Sequence, residues 1–226
     1  MRMHRKKNLD ARLINCGEFL LDNKIHLNAK LAIKNPQYID LTAVYKNNNP
    51  LCLEIGCGKG GFAISHAQKY PQSNFLAVER LSNVIVSGAE KAAQLKLENL
   101  RFLIANAELL RGFLREGSVQ KIYLNFSCPY PKKKQENRRL TNAKFLDTYE
   151  HLLTDGCVVE QKTDDKDFFK YSFDSFLSKG WQILFCTEDL HSLLDQDNIM
   201  TEYEYRFTSQ GYPIYKLIAA PPKNHR

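Results

Sequence analysis

Leu51-Cys52-Leu53-Glu54-Ile55-Gly56-Cys57-Gly58-Lys59-Gly60-Gly61-Phe62 is an apolar run that breaks into glycines, and Phe75-Leu76-Ala77-Val78-Glu79 follows about twenty residues on. Leu51 to Ile55 is too short and too unbroken for an amphipathic helix, so it reads as a strand buried on both faces of a parallel sheet. The glycines lack a β-carbon, which permits a tight bend and lets a ligand come close to the backbone, and Phe62 to Tyr70 then has helical spacing. Strand, glycine turn and helix in that order open a Rossmann-like α/β fold. Glu79 closes a second strand, where a carboxylate can accept hydrogen bonds from both hydroxyls of a ribose.

Gly56, Gly58 and Gly61 satisfy G-x-G-x-x-G, the pattern of nicotinamide and flavin dinucleotide sites. Glu54 points elsewhere. It sits two residues before the first glycine, where it can meet the α-ammonium or sulfonium of S-adenosylmethionine, whereas a dinucleotide brings a pyrophosphate that gains little from a carboxylate there. S-adenosylmethionine is therefore the expected cofactor. An NAD-type cofactor, or a glycine turn that binds nothing, stays as an alternative.

Further along, Leu81 to Lys96 reads as a helix, Leu100 to Ile104 as a strand, and Ala107 to Leu114 as a short helix. Lys121 to Phe126 is the next strand and leads into Ser127-Cys128-Pro129-Tyr130-Pro131, whose prolines forbid both helix and ladder and make a rigid loop. Ligands of open α/β sheets sit at the carboxyl ends of strands, which puts this loop at the active site. Asn142 to Leu153 and Asp167 to Lys179 read as helices; Cys157 to Lys162, Gln182 to Thr187 and Tyr212 to Leu217 read as strands. The expected architecture is a seven-stranded, mostly parallel sheet with helices on both faces. The linker Lys46-Asn47-Asn48-Asn49-Pro50 divides a basic N-terminal arm and helical extension (1–49) from the catalytic domain (50–226).

Composition bounds the function classes. The chain has 226 residues, 43% hydrophobic and 25% charged, enough for a substantial core. Its apolar runs fall far short of about 18 residues and none backs the basic N-terminus, so neither a membrane span nor a signal peptide is expected, and the location is read as cytoplasmic. Six cysteines without a C-x-x-C pair read as reduced thiols, and no metal is expected. The net charge of +7 is clustered, in Arg2, His4, Arg5, Lys6 and Lys7, and again in Lys132-Lys133-Lys134 with Arg138-Arg139. Such clusters suit a polyphosphate backbone, because each neutralised phosphate releases condensed counterions. For the arm, a solvated tail is an equal reading. Asp164, Asp165 and Asp167 follow a strand and precede a helix, where carboxylates cap amides or touch substrate.

These residues carry a resemblance. The chain resembles the bacterial tRNA (guanine-N7)-methyltransferases of the TrmB family, through Met1-Arg2-Met3, Leu53 to Gly60, Tyr123-Leu124-Asn125-Phe126-Ser127, Pro131-Lys132-Lys133, Arg138-Arg139-Leu140-Thr141, Lys162-Thr163-Asp164 and Asn198 to Glu204. The resemblance implies a class I S-adenosylmethionine-dependent fold and transfer of a methyl group to N7 of a guanine in the tRNA variable loop. It implies cofactor contacts from Glu54, Gly56, Gly58, Glu79 and Asn106, the last often Asp in the family. It implies substrate contacts from Lys132, Asp164 and the Thr201 to Glu204 segment; Tyr130, an aromatic beside a basic run, and Arg138 and Arg139 of that cluster are expected to join them. The partner would be tRNA, and the protein a monomer or homodimer.

The chain departs from the family pattern F-S-D-P-W-P, reading Phe126-Ser127-Cys128-Pro129-Tyr130-Pro131. Cys128 thus occupies the position of the acidic residue treated as catalytic, and Tyr130 that of a Trp. Gln135 and Asn137 replace a His and a Lys, and the usual Pro-Trp-Ala after Lys6 is missing. N7 of guanine has an in-plane lone pair and no proton, so its attack needs alignment and charge rather than a base. Cys128 then reads as a small packed side chain, with Asp164 supplying the charge, or as the mark of a slow enzyme; a covalent nucleophile lacks a base partner. Two alternatives stay beside the main reading: an impaired tRNA-binding homologue, and a methyltransferase for another nucleobase.

Overall fold

All five residues of Leu51–Ile55 are buried, as their uniform apolarity requires of a central strand. In a computed structural model of the chain, the residues described are 5–21, 29–193, 195 and 197–222; Arg2 and His4 of the basic arm lie outside them. The fold divides into two units, one reaching to Phe113 and one starting at Leu114.

The first unit runs α1 (Leu9–Asn15), β1 (Leu20–Leu21), α2 (Ala29–Lys34), α3 (Leu41–Tyr45), β2 (Leu51–Ile55), α4 (Gly61–Lys69), β3 (Asn74–Glu79), α5 (Ser82–Leu95), β4 (Leu100–Ile104) and α6 (Leu110–Phe113). Its strands lie in the order β1, β4, β3, β2, all parallel. Glu54 stands opposite Ala77 and Glu79 opposite Ile104, so the carboxyl ends of β2, β3 and β4 are nearly level. The helices α4 and α5 pack on β3 and β4. Phe75, Leu76, Ile85 and Phe102 fill the core between them with no exposed surface.

Arg101 fastens the N-terminal extension to β4. Its guanidinium is buried, donates to the carbonyls of Leu100 (2.9 Å), Glu98 (3.1 Å) and Val44 (3.2 Å), and pairs with Glu18 at 3.1 Å. It also lies over the rings of Phe19 and Tyr45. The two terminal nitrogens are thus partnered and the plane is stacked, as burial of an arginine demands, while Nε has no hydrogen-bond partner among the described residues. Nearer the chain start, Arg12 forks onto Glu90 of α5 at 2.7 and 2.6 Å, Lys6 N donates to Asn83 Oδ1 at 2.6 Å, and Lys6 Nζ bonds Ser87 Oγ.

The second unit runs β5 (Val119–Asn125), α7 (Ala143–Leu152), β6 (Leu153–Thr163), α8 (Lys166–Ser178), β7 (Gln182–Thr187), α9 (Glu202–Thr208) and β8 (Tyr215–Ala220). β5 and β6 are parallel, β8 runs antiparallel to β6, and β7 closes the order antiparallel to β8. Trp181 packs against Phe176 and is buried.

The strands Leu51–Ile55, Leu100–Ile104 and Gln182–Thr187 fall where the sequence puts them. The described residues contain eight strands rather than seven. The addition is β1, whose Leu20 and Leu21 pair with Phe102 and Leu103. Two leucines carry no period, so only the tertiary pairing makes them a strand. β8 starts at Tyr215 rather than Tyr212, because Pro213 has no N–H to give to a ladder. The stretch before it, expected to be a long polar connection, holds α9. No described helix is long and apolar enough to cross a membrane.

Candidate functional site

The cofactor-type residues belong to the first unit. Glu54, the last residue but one of β2, is 2% exposed. Gly56 N and Cys57 N both donate to Val78 O, at 2.8 and 3.0 Å, so the turn folds onto the end of β3. Gly58 adopts φ +57, and a β-carbon there would meet nothing within 4 Å; the left-handed backbone selects glycine, and the space beside it is open. Gly60 is required for a different reason, since a β-carbon would strike the Phe102 ring at 2.5 Å. Lys59 is exposed beside it.

Glu79, at the end of β3, accepts from Leu81 N through Oε1 at 3.1 Å and is partly exposed. Asn106, just beyond β4, is exposed and caps the 3₁₀ turn Ala107–Leu109, its Oδ1 accepting from Glu108 N at 3.4 Å. Three neighbouring parallel strands thus each end in one polar side chain of the expected set. Cys57 shares the neighbourhood: burial, reinforced by the charges of Glu54 and Glu79, pushes its thiol well above the ordinary range, so it stays protonated and inert. A buried carboxylate at the strand end, open space at a left-handed glycine and a second carboxylate one strand over suit a cationic ligand with a ribose, so these residues fit S-adenosylmethionine.

The substrate-type residues belong to the second unit. Phe126 and Tyr130 have φ of +49 and +42, a region that bulky residues rarely enter. The loop they bracket is held in place by specific bonds. Phe126 N donates to Lys162 O at 2.8 Å, and Arg139 donates to Pro129 O at 2.9 Å and Tyr130 O at 3.2 Å. The Arg139 guanidinium also lies 4.1 Å from the Tyr171 ring centroid. Arg139 is therefore a fastener of the loop. Strain of this kind persists only where surroundings overdetermine it, and it gathers at ligand sites.

Within that loop Cys128 is exposed, and the Ser127 Oγ is buried without a hydrogen-bond partner. Arg138 is exposed and lies 5.0 Å from the Tyr130 ring. Lys132, Lys133 and Lys134 are exposed at the start of the 3₁₀ segment Lys133–Arg138. Asp164 lies just past β6, whose end is level with that of β5 through the pairing of Asn125 with Lys162. Burial, and less so the charge of Asp165, raises the Asp164 carboxyl above its ordinary value. Asp165 caps α8 by accepting from Phe168 N at 2.8 Å.

Thr201 and Glu204 turn inward. Thr201 Oγ1 accepts from Glu204 N at 2.9 Å and Glu204 Oε2 accepts from Thr201 N at 3.4 Å, a capping box that starts α9. Glu204 is fully buried and pairs with Lys162, itself 1% exposed, at 2.6 Å. Asn198 Nδ2 donates to Glu204 Oε1 at 2.5 Å, and His191 Nε2 lies 3.1 Å from the same oxygen. Lys162 Nζ also donates to Asn198 Oδ1 and Ile199 O, at 3.0 and 2.9 Å. Sequence reasoning assigned no role to Lys162, since lysine is ordinarily a solvated residue. The signal in the sequence was its place two residues before Asp164.

The family described as "Putative methyltransferase" matches residues 48–217. A tRNA (guanine-N(7)-)-methyltransferase of Listeria monocytogenes serotype 4a (strain HCC23) is 41% identical over 85% of this chain and 91% of its own length. One of the same name from Geobacillus sp. (strain WCH70) is 41% identical over 81% of this chain and 84% of its own. Among solved structures, an antibiotic-related methyltransferase aligns with a TM-score of 0.63 at 14% identity, covering 87% of this chain and 96% of that one. The 16S rRNA methyltransferase KamB aligns with a TM-score of 0.59 at 14% identity, over 82% and 95%. At such identities these two likenesses concern the fold, and they agree with the class I methyltransferase architecture.

Proposed function

The chain belongs to the tRNA (guanine-N7)-methyltransferase family, and we propose that it methylates N7 of a guanine in the variable loop of tRNA, with S-adenosylmethionine as donor. The observation that carries this reading is the 41% identity spanning 91% of a relative of that name. The strand-end polar set supports it from the side of the fold.

When bound, S-adenosylmethionine supplies a methyl group on a sulfonium. In the proposal, buried Glu54 holds the cationic amino acid end, Gly56 and Gly58 admit it against the backbone, Glu79 takes the ribose, and Asn106 takes the base. In the second unit, exposed Lys132 and Arg138 bind phosphates, Tyr130 lies with Arg138 beside the nucleotide, and Arg139 keeps the loop in its strained form. Thr201 and Glu204 act by building α9 rather than by presenting polar atoms to substrate.

Guanine N7 carries no proton, so no residue need act as a base. The alkylated ring is cationic, and a carboxylate close to it lowers the barrier. Cys128 cannot supply that charge as a thiol, which leaves Asp164 as the carboxylate at the neighbouring strand end. A desolvated carboxylate such as this gains more from a nearby cation than a solvated one does.

The test is direct. Purified protein is incubated with labelled S-adenosylmethionine and unmodified tRNA, and the digested RNA is assayed for 7-methylguanosine, with the modified guanine mapped. Product in the variable loop is expected. Absence of 7-methylguanosine, with cofactor and tRNA still bound, would overturn the proposal.

A further inference from the structure

Tyr203 stands 59% exposed between the two residues of the capping box, Thr201 and Glu204. Its backbone is held from both sides, because Thr201 and Glu204 bond each other and Glu204 is tied to Lys162, Asn198 and His191. Its ring is stacked on Phe126, with centroids 6.1 Å apart and planes at 19°. Phe126 is in turn one of the two bulky residues at positive φ, at the mouth of the Ser127-Cys128 loop.

A near-parallel aromatic pair of this kind is a common way to stabilise a core, but here one member is mostly in water. A tyrosine at 59% exposure does little for stability, and a ring stacked on one face against Phe126 can meet another flat group on the other. The surroundings suit RNA: Arg206 is exposed on the same helix, Tyr205 is 67% exposed, and Lys132 to Lys134 stand in the same unit. Unstacked bases of RNA loops are held on aromatic rings in this way.

We infer that Tyr203 is a stacking platform for an unpaired base of the tRNA, extending the Phe126 ring outward by one layer beside the strained loop. The inference rests on the reading of the chain as a tRNA methyltransferase. Tyr203 is a positioning residue in this scheme, and takes no part in bond making. The stack uses the ring face, so the hydroxyl is dispensable.

Three variants test it. Tyr203→Ala should weaken binding of unmodified tRNA and lower kcat/KM about 5- to 150-fold, the loss expected for one stacked base, without moving Tm or S-adenosylmethionine affinity. Tyr203→Phe should restore both tRNA affinity and kcat/KM. Tyr203→Trp adds an exposed indole beside the buried Trp181, and its emission should be quenched as unmodified tRNA is titrated in. Wild-type tRNA affinity and kcat/KM in Tyr203→Ala would overturn the inference, as would unquenched emission at saturating tRNA. If no 7-methylguanosine forms but quenching and the affinity loss are seen, the platform stands and the assigned reaction falls.

Discussion

The pair Lys162 and Glu204 offers the sharpest test of how the second unit is held. Both side chains are out of solvent, at 1% and 0% exposure, and they meet at 2.6 Å. In Glu204→Gln the ammonium loses its anion, and the new amide must place its NH2 toward either Lys162 or the donors Asn198 and His191. Donor then meets donor. Stranding one charge of a buried pair costs about 3–5 kcal/mol, a large share of the roughly 5–15 kcal/mol that holds a protein folded. At about 2–4 °C per kcal/mol for a chain of this size, Tm should fall by about 6–20 °C. The assay is urea unfolding followed by emission of Trp181, the one tryptophan of the chain, which lies in the same unit. Lys162→Met should be comparably damaging alone, while Lys162→Met with Glu204→Leu should recover much of the loss, because neither variant charge is then stranded. A fall below about 1 kcal/mol in Glu204→Gln, or strict additivity in the double variant, would refute the reasoning.

Cys128→Asp restores a carboxylate to the exposed loop and should raise turnover by up to about 10²- to 10³-fold if the position faces the guanine, measured as 7-methylguanosine formed per minute; an unchanged rate counts against that placement. Glu54→Gln removes the buried charge at the end of β2 and should weaken S-adenosylmethionine about 10- to 150-fold by titration calorimetry, whereas wild-type affinity would remove Glu54 from the cofactor site. Burial pulls the Glu160 carboxyl upward, yet Lys121 at 2.8 Å and Lys216 at 3.4 Å outweigh it and hold the group below its ordinary 4.5. A depressed carboxylate contributes stability above its unfolded value and loses it as pH falls through the folded one, so wild type should lose stability below about pH 4.5 and Glu160→Gln should lose less there. Parallel acid limbs of the two proteins in urea midpoints would sink that assignment.

Much of the first unit was legible because its strands are buried on both faces, and Leu51–Ile55 and Leu100–Ile104 have no polar residue to blur their ends except Glu54 and Arg101. Those two exceptions are informative. Glu54 was read as functional from its place before the glycines, while Arg101 gave no signal, since its partners Glu18 and Val44 are distant in sequence. In the second unit the prolines announced a rigid loop, but not that Phe126 and Tyr130 would take left-handed backbone, which depends on the Arg139 and Lys162 contacts. Thr201 to Glu204 forms a helix cap, which burial of Glu204 on Lys162 holds in place. Resemblance pointed to Thr201 and Glu204 as substrate contacts; in the structure they form the capping box of α9, and Glu204 pairs with Lys162.

The antiparallel insertion of β8 between β6 and β7 has a consequence for the order in which the chain is made. β7 leaves the ribosome before β8, the strand it pairs with among the described residues, and α9 and its capping box are synthesised in the interval. Until Tyr215–Ala220 emerges, Leu184 and Phe185 wait on a strand with both edges open and no charge between Gln182 and Thr187. In the first unit β3 and β4 each emerge after the parallel strand they pair with, β2 and β3. Synthesis therefore passes through a stage at which β7 is an unpaired, aggregation-prone nascent segment, and a holdase would then have something to bind.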